Sequence, residues 1–285
     1  MSKKKEIQQR IGIAVLIACV AIVIFFLFSL IFFVGVRGAG VISWGFLTSK
    51  PRSAMTAGGI FPAILGTFYL TIGAIIVCLP LGVAAAIYLS EYARKGRALS
   101  LIRMGVNNLA GVPSVVFGLF GMAIFVKFFH FGISILSGSI TLGILALPII
   151  ISTSEEALRS VPVSYREASL ALGATKWQTV KNVVLPSSLP GIMTGLIIAV
   201  GRVAGETAPI LFTAAAFYLT HFPRSIFDEV QALPFHIYAL MSEGTRPDKQ
   251  VPIAYGTALV LLALVLGINL IAIMLRIYFR RRLKK

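Results

Sequence analysis

The sequence predicts an all-α membrane protein that crosses the bilayer six times. Three observations carry that expectation. Apolar residues make up 58% of the 285 and charged residues only 13%, with a mean hydropathy of +0.92; about a quarter of a soluble domain is charged. The apolar residues lie in long blocks, and the first, Ile11–Val36, runs 26 residues without an ionisable side chain. At ~1.5 Å per residue that helix is about 39 Å long, enough to cross a hydrocarbon core of roughly 30 Å with some tilt. Finally, most of the basic residues fall in short segments between blocks, as orientation signals do.

Taken in order, the blocks are Ile11–Val36, Ile60–Leu89, Met104–Phe129, Ile135–Thr153, Ser188–Tyr218 and Val251–Ile277. Pro80, Pro113, Pro148 and Pro209 fall inside them, and spanning helices tolerate proline where neighbours satisfy the freed carbonyls. The basic start, Lys3–Lys5, resembles a signal peptide, but the apolar run is far longer than the usual ~7–15 residues. Gly38, Ala39 and Gly40, the only small-residue stretch near its end, lie beyond Arg37. A retained first helix is expected. With the N-terminus inside, 18 of the 26 Lys and Arg fall in inner segments, 7 in outer ones, and Arg202 within a span. That asymmetry places both termini in the cytoplasm.

Two connections are long. The inner one, 154–186, carries mixed charges at helical spacing and is expected to form short surface helices. The outer one, 219–250, holds Phe222, Phe227, Phe235 and Tyr238; an amphipathic stretch there suits the outer membrane surface or a partner. No internal repeat is evident, which disfavours inverted-repeat transporters.

Several chemistries lack their residues. The formal charge of +16 is not arranged as a basic stripe interleaved with aromatics, so nucleic acid is not an expected partner. Cys19 and Cys78 sit in apolar blocks without a ligand at metal spacing and read as packing residues. His130, His221 and His236 are isolated in outer segments. No Gly-rich loop with Lys-Ser/Thr is present to cradle phosphates, so ATP chemistry requires a partner.

The inner connection carries a specific pattern. Glu167 and Ala168 are followed by Gly173, the usual left-handed stop of a helix, and nine residues later by Val183, Leu185 and Pro186. The stretch reads as a helix, a stop, a second short helix and a proline-marked return to the membrane. It resembles the EAA loop of ABC-importer membrane subunits, with Ser169 in place of the usual second Ala. The resemblance implies that Glu167, Ala168, Gly173, Leu185 and Pro186 belong to coupling helices that dock on an ATPase subunit. Three further stretches, Asn108–Gly121, Ser154–Pro162 and Gly205–Pro209, resemble the phosphate-specific permease subunits, PstA and PstC, and the pattern from Ile64 to Leu275 is nearer to the PstA kind.

Within the fifth block, Arg202 and Glu206 are the only ionisable residues deep in a predicted span, and i, i+4 spacing makes them neighbours on a helix. A charge at mid-membrane costs at least ~2.5 kcal/mol, so such a pair faces protein or a watery path. One reading is a structural ion pair. The other is an oxyanion path: the planar fork of Arg202 attracts the anion, Glu206 restrains Arg202, and Thr207 adds a hydroxyl. Gly191/Gly195 and Gly201/Gly205 flank this face and permit close helix approach.

The resemblance implies a type I, MetI-like permease core at 60–278, containing the loop 154–186. It is preceded by an added helix and outer segment (1–59) and followed by a basic tail (279–285). It also implies a homologous PstC-like permease subunit, two PstB-like ATPase subunits holding ATP and Mg, a PstS-like extracytoplasmic binding protein, and inorganic phosphate as cargo. The readings kept beside it are an importer of sulfate, molybdate or an organic solute, a proton-coupled transporter working alone, and a membrane enzyme. The last two lack a relay of ionisable residues and a nucleophile–base or metal constellation.

Overall fold

The computed structural model describes residues 3–94, 96–219 and 222–282. Helix α1 (Lys3–Ala39) leads to a short α2 (Trp44–Thr48) and a two-residue hairpin, β1 (Pro51–Arg52) paired antiparallel with β2 (Ala57–Gly58). Then follow α3 (Phe61–Ile87), α4 (Arg97–Ala110), α5 (Ser114–Gly121), α6 (Ile135–Arg159), α7 (Val163–Ala171), α8 (Lys176–Thr179), α9 (Leu185–Gly205), α10 (Ala208–Thr213), α11 (Leu233–Ser242) and α12 (Pro247–Arg282). Among the described residues, five helical columns are long and apolar enough to span a membrane, and the bent pair α4–α5, counted as one span, makes a sixth.

The centre of the bundle is the pairing of α3 with α6, on which α9 packs. Leu70, Ala74 and Cys78 of α3 meet Leu142, Ala146 and Ile150 of α6, with Ala199 and Val203 of α9 against them. Small residues set the spacing: a Cβ on Gly143 would lie 3.0 Å from Val77, so the backbones approach as small-residue interfaces allow. Gly191 and Gly195 do the same for α9, facing Ala157 and Thr153 of α6. Helix α1 stands at the edge with its apolar residues exposed, as a lipid-facing helix should. It is tied to α12 near its end, where Arg37 lies 4.6 Å from the Phe33 ring and 5.6 Å from the Tyr255 ring.

Two expectations need correction. The third block, Met104–Phe129, is not one straight span: it breaks at Gly111–Pro113 and turns through 99°. Pro113 is extended (φ −58°, ψ 140°) and opens α5 without donating an N–H. The fifth block, Ser188–Tyr218, also breaks: α9 ends at Gly205, Glu206 is extended (ψ 135°), and Pro209 sits in the first turn of α10. Pro80 and Pro148 do lie inside unbroken helices. The difference is local: at each break the chain leaves the helix through an extended residue, Pro113 or Glu206.

In the connection 219–250, one face of helix α11 buries Leu233, Phe235, His236, Ala239 and Leu240 against α3 and α12, while Phe227 and Tyr238 stay exposed. A polar knot holds it. The Leu233 N–H donates to Thr67 Oγ1 (2.8 Å), and Gln231 Nε2 donates to the Phe217 carbonyl (3.2 Å) and to His236 Nδ1 (3.1 Å). Residue 221, one of the three histidines, lies outside the described residues. His130 is exposed at a left-handed turn (φ 58°) with Nδ1 2.9 Å from the Phe128 carbonyl.

Burial pushes the His236 imidazole down from 6.5 to about 4. The folded state therefore binds the proton less well than the unfolded chain, so this contribution is complete above pH ~6.5 and is lost as pH falls towards 4. The melting temperature of the purified protein is expected to drop across that window. In His236→Asn, whose amide oxygen replaces the Nδ1 acceptor, the drop should be smaller. Equal slopes in the two proteins would exclude His236 as the cause.

Candidate functional site

Two places collect the residues singled out by sequence: the α7 end of the bundle, and the break after α9. At the α7 end, Pro162 starts α7 and Gly173 stops it. Gly173 is in the left-handed region (φ 84°). Its N–H donates to the Leu170 carbonyl (3.0 Å) while Ala174 N–H donates to Ser169 (3.2 Å), the pair of bonds that closes a Schellman turn. The space around Gly173 is open, so backbone conformation, not crowding, selects glycine here.

Glu167, Ala168 and Leu172 stand exposed on α7, Leu172 at 89%. Tyr165, Ala168, Leu172 and Val183 line an open apolar notch of about 380 Å³. Exposed Val163, Leu170 and Trp177 extend the apolar surface. The Ser169 hydroxyl is 2.9 Å from Thr179 Oγ1 and ties α7 to α8. Thr175 caps α8 in a capping box with Gln178.

Leu185 and Pro186 open α9, the helix of the fifth span. The column from Lys176 to Gly205 is continuous and passes through a π turn at Val180–Val184.

At the other place, Arg202 sits in the last turn of α9, where a cation suits the helix dipole. Its Nε lies 3.4 Å from Glu206 Oε1. The pair forms although Glu206 has left the helix, because the extended backbone at Glu206 folds the carboxylate back towards the helix end. Glu206 is 16% exposed and borders a small void with Thr67, Thr71 and Ile210. Arg202, at 37%, faces outward beside exposed Ile198 and Gly205. Thr207 follows at the break. Gly201 meets Asn269 of α12, which packs on α9, at ordinary contact distance, whereas Gly205 meets nothing within 4 Å, so the covered part of this face ends before Gly205.

Sequence reasoning missed two ion clusters. Arg103 of α4 and Arg159 both pair with Glu155 of α6, at 2.6 and 2.7 Å. Arg166 of α7 pairs with Glu91, at the end of α3, at 2.8 Å. Arg159 and Glu155 were visible at i, i+4; the other partners are 52 and 75 residues apart and leave no local pattern.

A bundle of broken spans carrying a short exposed helix pair at one end is the architecture of an ABC-importer membrane subunit. The MetNI methionine ABC transporter in inward-facing form matches with a TM-score of 0.58 at 21% identity, over 78% of this chain and 94% of that one. A bacterial ABC transporter involved in alginate import matches with a TM-score of 0.55 at 17% identity, over 79% of both. These likenesses establish the fold.

Residues 78–285 match the family described as the binding-protein-dependent transport system inner membrane component, and the chain belongs to that family. A probable ABC transporter permease protein of Bacillus subtilis, YqgI, is 34% identical, covering 94% of this chain and 95% of its own length. The phosphate transport system permease protein PstA 1 of Mycobacterium tuberculosis is 37% identical (79% of this chain, 73% of that one). The PstA protein of Yersinia pestis is 38% identical (79% and 78%).

Proposed function

We propose that this chain is a membrane-spanning subunit of an ATP-driven phosphate importer, forming one half of a pore shared with a homologous PstC-like subunit. One observation carries the reading: a guanidinium, Arg202, stands half-open at a break in a span, in a chain related across four-fifths of its length to proteins named as phosphate permeases. A permanently charged planar fork suits a tetrahedral oxyanion. The uncovered face of Ile198, Arg202 and Gly205 faces the pore, with Glu206 keeping Arg202 from holding the anion too tightly and Thr207 adding a hydroxyl.

Glu167, Ala168 and Gly173 meet the PstB-like ATPase subunits, which bind ATP and Mg; Leu185 and Pro186 continue that contact into the span. A PstS-like binding protein delivers phosphate at the α11 end. Closure of the ATPases draws the α7–α8 hairpins together and switches the pore from inward- to outward-facing. Both termini lie in the cytoplasm, supported by the 18-to-7 basic asymmetry; a reporter after Ser169 found outside would refute it. The function is tested by ATPase stimulation of the reconstituted complex, with its binding protein, by phosphate, sulfate and molybdate. Stimulation by sulfate or molybdate but not phosphate would replace the cargo.

A further inference from the structure

Helix α7 is joined covalently to α6 by only three residues, Ser160, Val161 and Pro162. It has a second attachment through the side chain of Arg166. Arg166 Nη2 donates to the Leu158 carbonyl (2.8 Å), in the last turn of α6, and Nη1 donates to the Val161 carbonyl (2.6 Å) just beyond it. These are among the carbonyls that a helix end leaves without intrahelical partners. The other edge of the fork meets Glu91: Nη2 lies 2.8 Å from Oε1 and Nε lies 3.5 Å from Oε2. Glu91 belongs to the π turn Tyr88–Tyr92 that terminates α3, and Ser90 Oγ donates to it at 3.4 Å.

Arg166 is 19% and Glu91 10% exposed, so this is a shielded junction unlike the open Arg202 pair. The guanidinium is the hub. Its rigid fork satisfies acceptors from two helix ends at once, which an ammonium on a flexible stem does not. α3 and α6 are also the two helices whose packing forms the centre of the bundle. The opposite face of α7, with Glu167, Ala168 and Leu172, is the uncovered one.

We infer that Arg166 and Glu91 form the strut that conveys displacement of α7 into α3 and α6, so that these spans move with the coupling helix. This rests on the reading of α7 as a coupling helix and assigns Arg166 as a positioning residue that touches neither ATP nor cargo. Without the strut, α7 remains docked on the ATPase, but its motion reaches the core only through the Ser160–Pro162 link and the α8–α9 column. Hydrolysis and transport then separate.

The test uses the assembled complex in proteoliposomes. The wild type is first assayed with phosphate, sulfate and molybdate, and the ion it carries is used throughout. In Arg166→Gln and Glu91→Gln, ATP hydrolysis by the assembled complex should stay within about twofold of wild type while ions carried per ATP fall about tenfold or more, the separation expected when a coupling free energy is lost. Arg166→Lys, which keeps the charge without the fork, should fall in between. A second readout needs no cargo: a bimane fluorophore on Ile76→Cys, exposed on α3, with Cys19 replaced by serine. ATP should change its emission in the otherwise unaltered complex and leave it unchanged with Arg166→Gln.

An unaltered ratio of ions to ATP in assembled variants overturns the strut, as does a full fluorophore response. Failure of all three substitutions to assemble makes the pair scaffolding and equally overturns it. A wild-type complex that carries none of the oxyanions refutes the importer reading instead, and the fluorophore then judges the strut alone.

Discussion

Replacing Gly173 by valine is expected to lower transport by more than an order of magnitude while the chain still inserts in the membrane. The mechanism is conformational. At φ 84° a β-branched side chain crowds its own backbone, and such a conformation costs of order 1–3 kcal/mol. Nothing lies within 4 Å of the position a Cβ would take, so the chain escapes the strain by changing the turn rather than by moving neighbours. That change breaks the bonds from Gly173 to Leu170 and from Ala174 to Ser169, and it re-aims α8 relative to α7. The notch between Tyr165, Leu172 and Val183 loses its shape, and retention of the ATPase subunit during purification should weaken. Gly173→Asn is the control, because asparagine visits the left-handed region at lower cost and should retain most of the activity. Full transport together with normal ATPase retention in Gly173→Val would sink the coupling assignment.

Much of this fold is written in single stretches of sequence. α1, α3, α6 and α12 follow from uninterrupted apolar runs, each found within a few residues at its membrane end. Gly173 as a helix stop was legible because one local property, positive φ, selects one residue type. The two broken spans were misread for a physical reason: a proline inside an apolar block is compatible both with a kinked continuous helix and with a break. The breaks before Pro113 and Pro209 bring α5 and α10 together. Gly118 shows this, where a Cβ would lie 2.9 Å from the Ala208 carbonyl.

Pro186 reads as a boundary and does stand in the first turn of α9; what one stretch of sequence does not show is the π turn that keeps the column helical before it. The burial of one face of α11 was not legible because an aromatic-rich helix looks alike whether it meets a membrane surface, a partner or the helices of its own chain. The site was half legible. Arg202 and Glu206 announce themselves as charges in an apolar block, whereas the Arg166–Glu91 junction exists only once α3, α6 and α7 have assembled.

Substitutions in the Arg202–Glu206 pair are expected to separate two roles, an oxyanion path and a structural ion pair. If Arg202 meets the oxyanion, Arg202→Gln abolishes uptake while leaving assembly nearly intact, since a side chain already 37% exposed supports little of the fold. Arg202→Lys restores only part of the uptake, because a point charge does not reproduce the bidentate fork. Glu206→Gln acts differently: it frees Arg202 to hold the anion longer, so turnover falls more than binding. If the pair is scaffolding, each single neutralisation leaves a charge without its counter-charge in an apolar setting and reduces the amount of assembled complex. The double neutralisation then restores it. The 3.4 Å separation and the outward face of Arg202 favour the first pattern, because a pinning ion pair is held more closely and more deeply, as Arg166 and Glu91 are at 2.8 Å. The deciding quantity is uptake per assembled complex in the two single variants and the double. Loss in Arg202→Gln that persists in the double places Arg202 on the anion's path; full uptake per complex in the double variant removes it from that path and leaves the pair as scaffolding.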